Sequence, residues 1–232
     1  MRLNPYYADD GIVIYHGDCR DIVPRLPAFD LVVTDPPYGV QYEGGHFHSQ
    51  DTRIKRAREK LVGDDEDVYQ WAVPMMLNQC RGPCYFFFAA TKTFEIFRAV
   101  SDAKGQVHAV IVWCKIAARY ASMYAQYKNG CEWVLYCKGK RSRTLWIGPS
   151  TESTFWNMDS QSKNIYHPTQ KPVAVMKRAI QNHRGELIVD PFMGAGSTLR
   201  AAADLGRRAI GIELNESYCK IAAERLRQKT LF

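Results

Sequence analysis

The chain contains no apolar run approaching the ~20 residues that cross a bilayer, and its opening Met1-Arg2-Leu3-Asn4-Pro5 lacks the apolar stretch of a secretory leader. These absences predict a soluble, unexported, cytoplasmic protein with no membrane partner. Paired cysteines are missing too: the seven at 19, 80, 84, 114, 131, 137 and 219 are odd in number, lie mostly in apolar runs and have no short paired spacing. That pattern disfavours a disulfide scaffold or a zinc site and fits buried, reduced thiols. His46 and His48 stand without an acid or cysteine partner, so no metal is expected. Negative charge is in deficit, with 24 Asp+Glu against 31 Lys+Arg and a formal net charge of +7, which favours a polyanionic partner. What is present is ample apolar material: 46% hydrophobic residues in 232, enough for one sizeable core.

The central stretch is Leu31-Val32-Val33-Thr34-Asp35-Pro36-Pro37-Tyr38. An apolar β-branched run stops at an acid, and two prolines forbid both sheet pairing and an immediate helix. In an open α/β sheet, ligands bind in the crevice beyond the carboxyl ends of the strands, so such a corner faces a pocket. One chemistry suits it. A base amine is a poor nucleophile because its lone pair is delocalised, and acceptors on its protons draw the nitrogen toward tetrahedral geometry. Asp35 and the Pro36 carbonyl are such acceptors, Pro37 stiffens the corner, and Tyr38 offers a ring for an extruded base. The alternative is a strand-ending turn whose acid accepts backbone N–H groups.

Apolar runs of strand character alternate with helical patterns along the chain. Residues 12–15 read as a strand ending near Asp18, 21–26 as a short helix, and 85–90, 107–114 and 131–137 as buried strands. Asp64-Asp65 is expected to cap a helix with Val68, Trp71, Ala72, Met75 and Met76 facing the core and a kink at Pro74. Another helix is expected over 93–104, and Pro172 suits the first turn of one carrying Val173, Met176 and Ile180. The alternation predicts an α/β fold with a parallel, doubly wound sheet.

Two segments carry the excess cations. Residues 40–63 form a long polar segment with Arg53, Lys55, Arg56, Arg58 and Lys60, read as a loop that touches phosphates beside the Asp35 corner. Residues 138–164 interleave Lys138, Lys140, Arg141, Arg143 and Lys163 with Trp146, Phe155 and Trp156, a mixture suited to phosphate and base-edge contacts. A solvated, decorated surface is the alternative for both.

Downstream, a strand over 186–189 ends at Asp190, and Gly194-Ala195-Gly196 turns into a helix beginning at Ser197. Glycines there let backbone approach a ligand closely at a helix N-terminus. The third glycine of Gly-x-Gly-x-x-Gly is missing, which disfavours a pyrophosphate ligand and hence a nicotinamide oxidoreductase. Glu213 ends the next strand, 23 residues after Asp190, a position suited to gripping ribose hydroxyls. Asn215 caps a last helix with Tyr218, Ile221, Ala222 and Leu226 expected inward.

Asp-Pro-Pro-Tyr at 35–38, His-Pro-Thr-Gln-Lys-Pro at 167–172, Asp-Pro-Phe-Met-Gly-Ala-Gly-Ser-Thr at 190–198 and Gly-Ile-Glu at 211–213 together resemble the permuted, β-group DNA amino-methyltransferases. The likeness runs from about residue 12 to 228. It implies a Rossmann-like, seven-stranded, mostly parallel sheet with helices on both faces, in a single methyltransferase domain. The catalytic half would occupy about 12–137, a small recognition insert 138–164 and the cofactor half 165–228. It implies S-adenosylmethionine as cofactor, with Asp190, Phe192, Gly194, Gly196 and Ser197 around its methionine part, Glu213 on the ribose, Asp18 and Cys19 by the adenine, and Thr169 and Lys171 near the methionine end. The implied partner is double-stranded DNA, a homodimer is left open, and a bacterial or phage source fits. Asp rather than Ser at position 35 favours adenine N6 over cytosine N4 as the acceptor. The short insert favours a short target site. A catalytically inactive DNA-binding protein on the same fold is the remaining rival, disfavoured by intact Asp35, Tyr38 and the 194–196 turn.

Overall fold

The computed structural model describes residues 3–37, 67–115, 127, 130–158 and 170–228. In chain order the first elements are β1 (Tyr7–Asp9), β2 (Ile12–His16), α1 (Cys19–Ile22) and β3 (Leu31–Thr34). There follow α2 (Val68–Gln79), β4 (Pro83–Phe88), α3 (Thr93–Asp102), β5 (Gln106–Lys115), β6 (Cys131–Lys138) and β7 (Phe155–Met158). The last are α4 (Val173–Gln181), β8 (Leu187–Asp190), α5 (Ser197–Asp204), β9 (Arg208–Glu213) and α6 (Glu216–Arg227).

The nine strands form one sheet in the order β1-β2-β9-β8-β3-β4-β6-β5-β7. The sheet is mixed, which corrects the seven-stranded expectation. β1 pairs antiparallel with β2, and β6 lies antiparallel between β4 and β5. The two extra strands are only 3 and 4 residues long. Such short edge strands carry too little hydrophobic pattern to be read from sequence. β7 lies inside the segment read as a recognition insert and runs parallel to β5 as the outermost strand.

Every residue of β3, β4 and β8 is buried, as continuous apolar runs in the middle of a doubly covered sheet require. Helices supply the two covering layers. α2 buries Val68, Ala72 and Met76 as its spacing predicts, and Pro74 sits inside the continuous helix. Trp71 and Met75, expected in the same core stripe, are half-buried instead. The Asp64-Asp65 cap lies outside the described residues, and Asp67 precedes the first helical residue. On α6 the fully buried residues are Cys219, Ala222, Ala223 and Leu226, with Tyr218 and Ile221 half-buried, while the Asn215 side chain accepts from Ser217 N at 2.9 Å as an N-cap. Among the described residues no helix is long and apolar enough to cross a membrane.

The strand order decides where a ligand can sit. From β8 the chain crosses through α5 to β9 on one side, whereas from β3 it crosses through α2 to β4 on the other. β3 and β8 are adjacent and parallel, with Val32 opposite Val189. Connections leaving these neighbours diverge, which opens a crevice at their carboxyl ends. Asp35 follows the end of one strand and Asp190 ends the other.

Candidate active site

Two contacts join the two halves of the chain at that crevice, and a third ties the segment before α4 to them. Thr34 Oγ1, one residue before Asp35, donates to Asp190 Oδ1 at 2.7 Å. Thr198, in the first turn of α5, donates to the Val33 carbonyl at 3.2 Å. Ser197 Oγ donates to the Lys171 carbonyl at 2.7 Å, tying the 170–172 segment to the glycine turn. The corner and the turn are therefore one hydrogen-bonded unit.

Asp190 is buried, and its Oδ1 also accepts from Phe192 N at 3.1 Å. Burial pushes its carboxyl up from an ordinary 3.8 to about 6, although the Thr198 and Thr34 hydroxyls and the Phe192 N–H favour the ionised form. A folded-state value above the unfolded one means that the native protein binds the extra proton. The stability gained is full below pH ~4 and lost as pH rises through about 6, by about 3 kcal/mol in all. Denaturant unfolding at pH 4.5 and 7.5 is expected to show wild type losing stability relative to Asp190→Asn as pH rises. Parallel behaviour of the two proteins would show that Asp190 titrates as an ordinary surface acid.

The glycine turn has open space at its first glycine. Gly194 has φ +49°, and a Cβ there would meet nothing within 4 Å. Gly196, at φ +78°, is the N-cap of α5, and a Cβ would stand 2.9 Å from that of Ala222, so only glycine lets α6 pack here. Glu213, half-buried at the end of β9, accepts from Gly194 N at 3.0 Å and Asn215 N at 2.8 Å, and burial raises its carboxyl above the usual range. Asp18 caps α1 through Arg20 N at 2.8 Å and pairs with the Arg20 guanidinium at 2.6 Å, so its acid range is lowered. Arg20 lies over Trp71 at 5.2 Å, and Trp71 packs on Phe192 at 5.8 Å between ring centroids. Asp18 and Phe192 are thus linked through Arg20 and Trp71, two residues that no sequence motif marks. Cys19 is buried, with its thiol pushed up to about 12 by burial, and behaves as packing.

Lys171 reaches from the glycine turn, where its carbonyl is held, to the Asp35 corner. Its ammonium pairs with Asp35 Oδ2 at 2.5 Å and with Glu132 Oε2 at 3.0 Å, while Lys115 meets Glu132 Oε1 at 2.6 Å. Lys171 is 7% exposed and lies over the Phe87 ring. Burial alone would lower its ammonium, but Asp35 and Glu132 outweigh that and raise it. Glu132 follows the same logic: burial raises its carboxyl, Lys171 and Lys115 reverse this, and the net direction is down. Glu132 carried a readable signal, an acid within the apolar run Cys131-Glu132-Trp133-Val134-Leu135, which in a buried strand calls for a cationic partner.

The predicted cationic segments separate from this centre. Lys138 is opposite Pro83, at the amino end of β4, whereas Asp35 follows the carboxyl end of β3. Glu132 and Lys138 are six positions apart in β6, about 20 Å along a strand. Lys140 and Arg141 border a hollow with Arg81 and Lys104 near Lys138, and Arg143 N donates to the Arg81 carbonyl. The structure thus places 138–143 on the opposite end of the sheet from Asp35. Within the same insert, Trp156 is buried beneath Arg178 and Tyr85, while Phe155 is 56% exposed. Tyr38, Arg53, Lys55, Arg56, Arg58, Lys60 and Thr169 lie outside the described residues.

A doubly wound α/β sheet thus brings the acid corner and the glycine turn together at the switch point between β3 and β8. Residues 29–224 match the DNA methylase family N6_N4_Mtase, and the chain belongs to this family. It is a DNA methyltransferase. YubD of Escherichia coli (strain K12) is 30% identical over 219 residues, covering 90% of this chain and 88% of YubD. Among solved structures, M1.HpyAVI in its complex with SAM superposes with a TM-score of 0.71 at 24% identity, covering 93% of this chain and 98% of that one. The PvuII DNA methyltransferase, which is cytosine-N4-specific, gives 0.76 at 15% identity, covering 98% and 90%. At these identities the two structures show a common fold.

Proposed function

We propose that the chain methylates the N6 amine of adenine in double-stranded DNA, with S-adenosylmethionine as donor, in the permuted arrangement that places the Asp35-Pro36-Pro37-Tyr38 corner before the cofactor turn. The observation that carries this reading is the junction at the switch point, where Thr34 and Asp190 lock the acid corner to the glycine turn. The cofactor fits the residues present. The turn at Gly194 opens on free space, Glu213 is held beside it by two backbone N–H groups, and Phe192 with Trp71 forms an apolar wall along the same rim. Gly194, Gly196, Phe192 and Glu213 would hold the cofactor, with Asp18 at the outer rim. When bound, it supplies an electrophilic methyl group on a sulfonium centre.

The chain's own residues then have defined tasks. Asp35 accepts a hydrogen bond from the target amine as positive charge develops on nitrogen, and the Pro36 carbonyl accepts the second. A stiff Pro36-Pro37 backbone keeps both acceptors in register, and register of two reactants is itself a large part of such a rate enhancement. Tyr38 supplies the stacking face for the extruded base. The family likeness supports amine methylation in general; the acid at position 35 favours adenine. Incubation of duplex DNA with the protein and labelled S-adenosylmethionine, followed by nucleoside mass spectrometry, is expected to yield N6-methyladenine. N4-methylcytosine as the product would overturn the choice of base, and no labelled nucleoside would overturn the reading.

A further inference from the structure

The described residues place four charged side chains in one line beneath the Asp35 corner: Lys115, Glu132, Lys171 and Asp35, alternating in sign. Each cation thus faces a carboxylate, and the set is neutral as two ammoniums against two acids. Lys171 is the joint of the line. Its carbonyl is fixed by Ser197 at the head of α5, its ammonium is buried, and its two acid partners arrive from β6 and from the turn after β3. An ammonium so confined cannot serve as a mobile surface cation, and a buried lysine with two carboxylates has a fixed direction for its hydrogen bonds.

We propose that Lys171 is a positioning residue that acts through Asp35: it holds the carboxylate plane at the angle that receives the target amine, while Glu132 and Lys115 hold the ammonium in place. This inference rests on the reading of Asp35 as the amine acceptor. It differs from the family-implied expectation that Lys171 serves the methionine end of the cofactor, because the 2.5 Å contact directs the ammonium to Asp35. Asp35 lies on the loop that follows β3, with its carboxylate against the buried Lys171 ammonium. A buried counter-charge orients that carboxylate, as outer groups do for the ligands and bases of other sites.

The test combines binding and turnover. Lys171→Met retains length and apolar bulk but removes the charge. It is expected to lower kcat at saturating DNA and cofactor by about 10- to 100-fold, with the calorimetric Kd for S-adenosylmethionine within about threefold of wild type. In an Asp35→Ala background the same substitution is expected to cost less than about threefold more, because the residue it acts through is already gone. Should Lys171→Met unfold the protein by leaving two carboxylates facing each other, the comparison is made in a Glu132→Gln background, with the same outcomes expected. A weakened Kd with near-normal kcat would overturn the proposal in favour of a cofactor ligand. Equal losses with and without Asp35 would overturn it as well. Normal turnover by Asp35→Ala alone would instead refute the reading of the corner, a result distinct from either.

Discussion

Asp35→Ala is expected to lose methyl transfer by a factor on the order of 10²–10³ while retaining DNA and S-adenosylmethionine binding within about tenfold. The size follows from the role. Deleting one preorganised group that meets developing charge costs about 2.7–4 kcal/mol when water cannot take its place. Binding is spared because the Gly194 turn, Glu213 and the Phe192 wall do not depend on this carboxylate. Removing the acid leaves the Lys171 ammonium paired with Glu132 at 3.0 Å, but Glu132 also pairs with Lys115, so the cluster carries one excess cation and the variant is expected to be somewhat less stable while still folded. Thr34 and Asp190 still lock the strand ends. Single-turnover transfer of labelled methyl to adenine-containing duplex gives the rate, and calorimetry gives the two affinities. Near-normal transfer would mean that Asp35 is a turn residue and that the amine is held elsewhere.

The centre of the sheet was legible because its strands are buried on both faces, so hydrophobicity alone marks them: Leu31-Val32-Val33, Tyr85 to Phe88 and Leu187-Ile188-Val189 each read as a continuous run. The order of strands was not. Nothing in the apolar run 131–137 says that β6 inserts antiparallel between β4 and β5, because pairing partners are chosen by contacts far apart in sequence. Short β7 was invisible for a related reason. Its buried Trp156 and exposed Phe155 give one alternation, too little to tell a strand from a loop bearing aromatics.

At the site, residue types were legible and partners were not. Asp35, the glycine turn and Glu213 announce themselves by standing at strand ends. That Asp190 faces Thr34 across 156 positions, or that Lys171 reaches Asp35 across 136, depends on β3 and β8 being neighbours. The basic run at 138–143 shows the reverse, a composition that could be read and a position that could not. Composition suits it to phosphates, and antiparallel β6 carries the chain back to the amino ends of the strands before that run begins. A charge cluster in sequence has no address until the direction of the preceding strand is known.

Direction also selects the sharpest test of the cofactor site. Gly194 and Gly206 share two properties: positive φ, at +49° and +65°, and open space where a Cβ would project. They differ in place. Gly194 lies beyond the carboxyl end of β8, facing the crevice, whereas Gly206 precedes β9 at the amino end of the sheet. Forcing an L-residue into the left-handed region costs roughly 1–2 kcal/mol, so tryptophan at either site should lower Tm by a few degrees in a chain of this size. Only Gly194→Trp puts an indole into the crevice, and its backbone N–H can still donate to Glu213. We therefore expect both variants to fold, Gly206→Trp to bind S-adenosylmethionine with wild-type affinity, and Gly194→Trp to lose binding by more than about 10²-fold, since a pocket that buries most of its ligand has no room for a second ring system. Calorimetric titration of the three proteins decides it, with unfolding curves showing equal strain. Wild-type affinity in Gly194→Trp would move the cofactor away from the 190–198 turn, and equal loss in both variants would reduce the effect to stability.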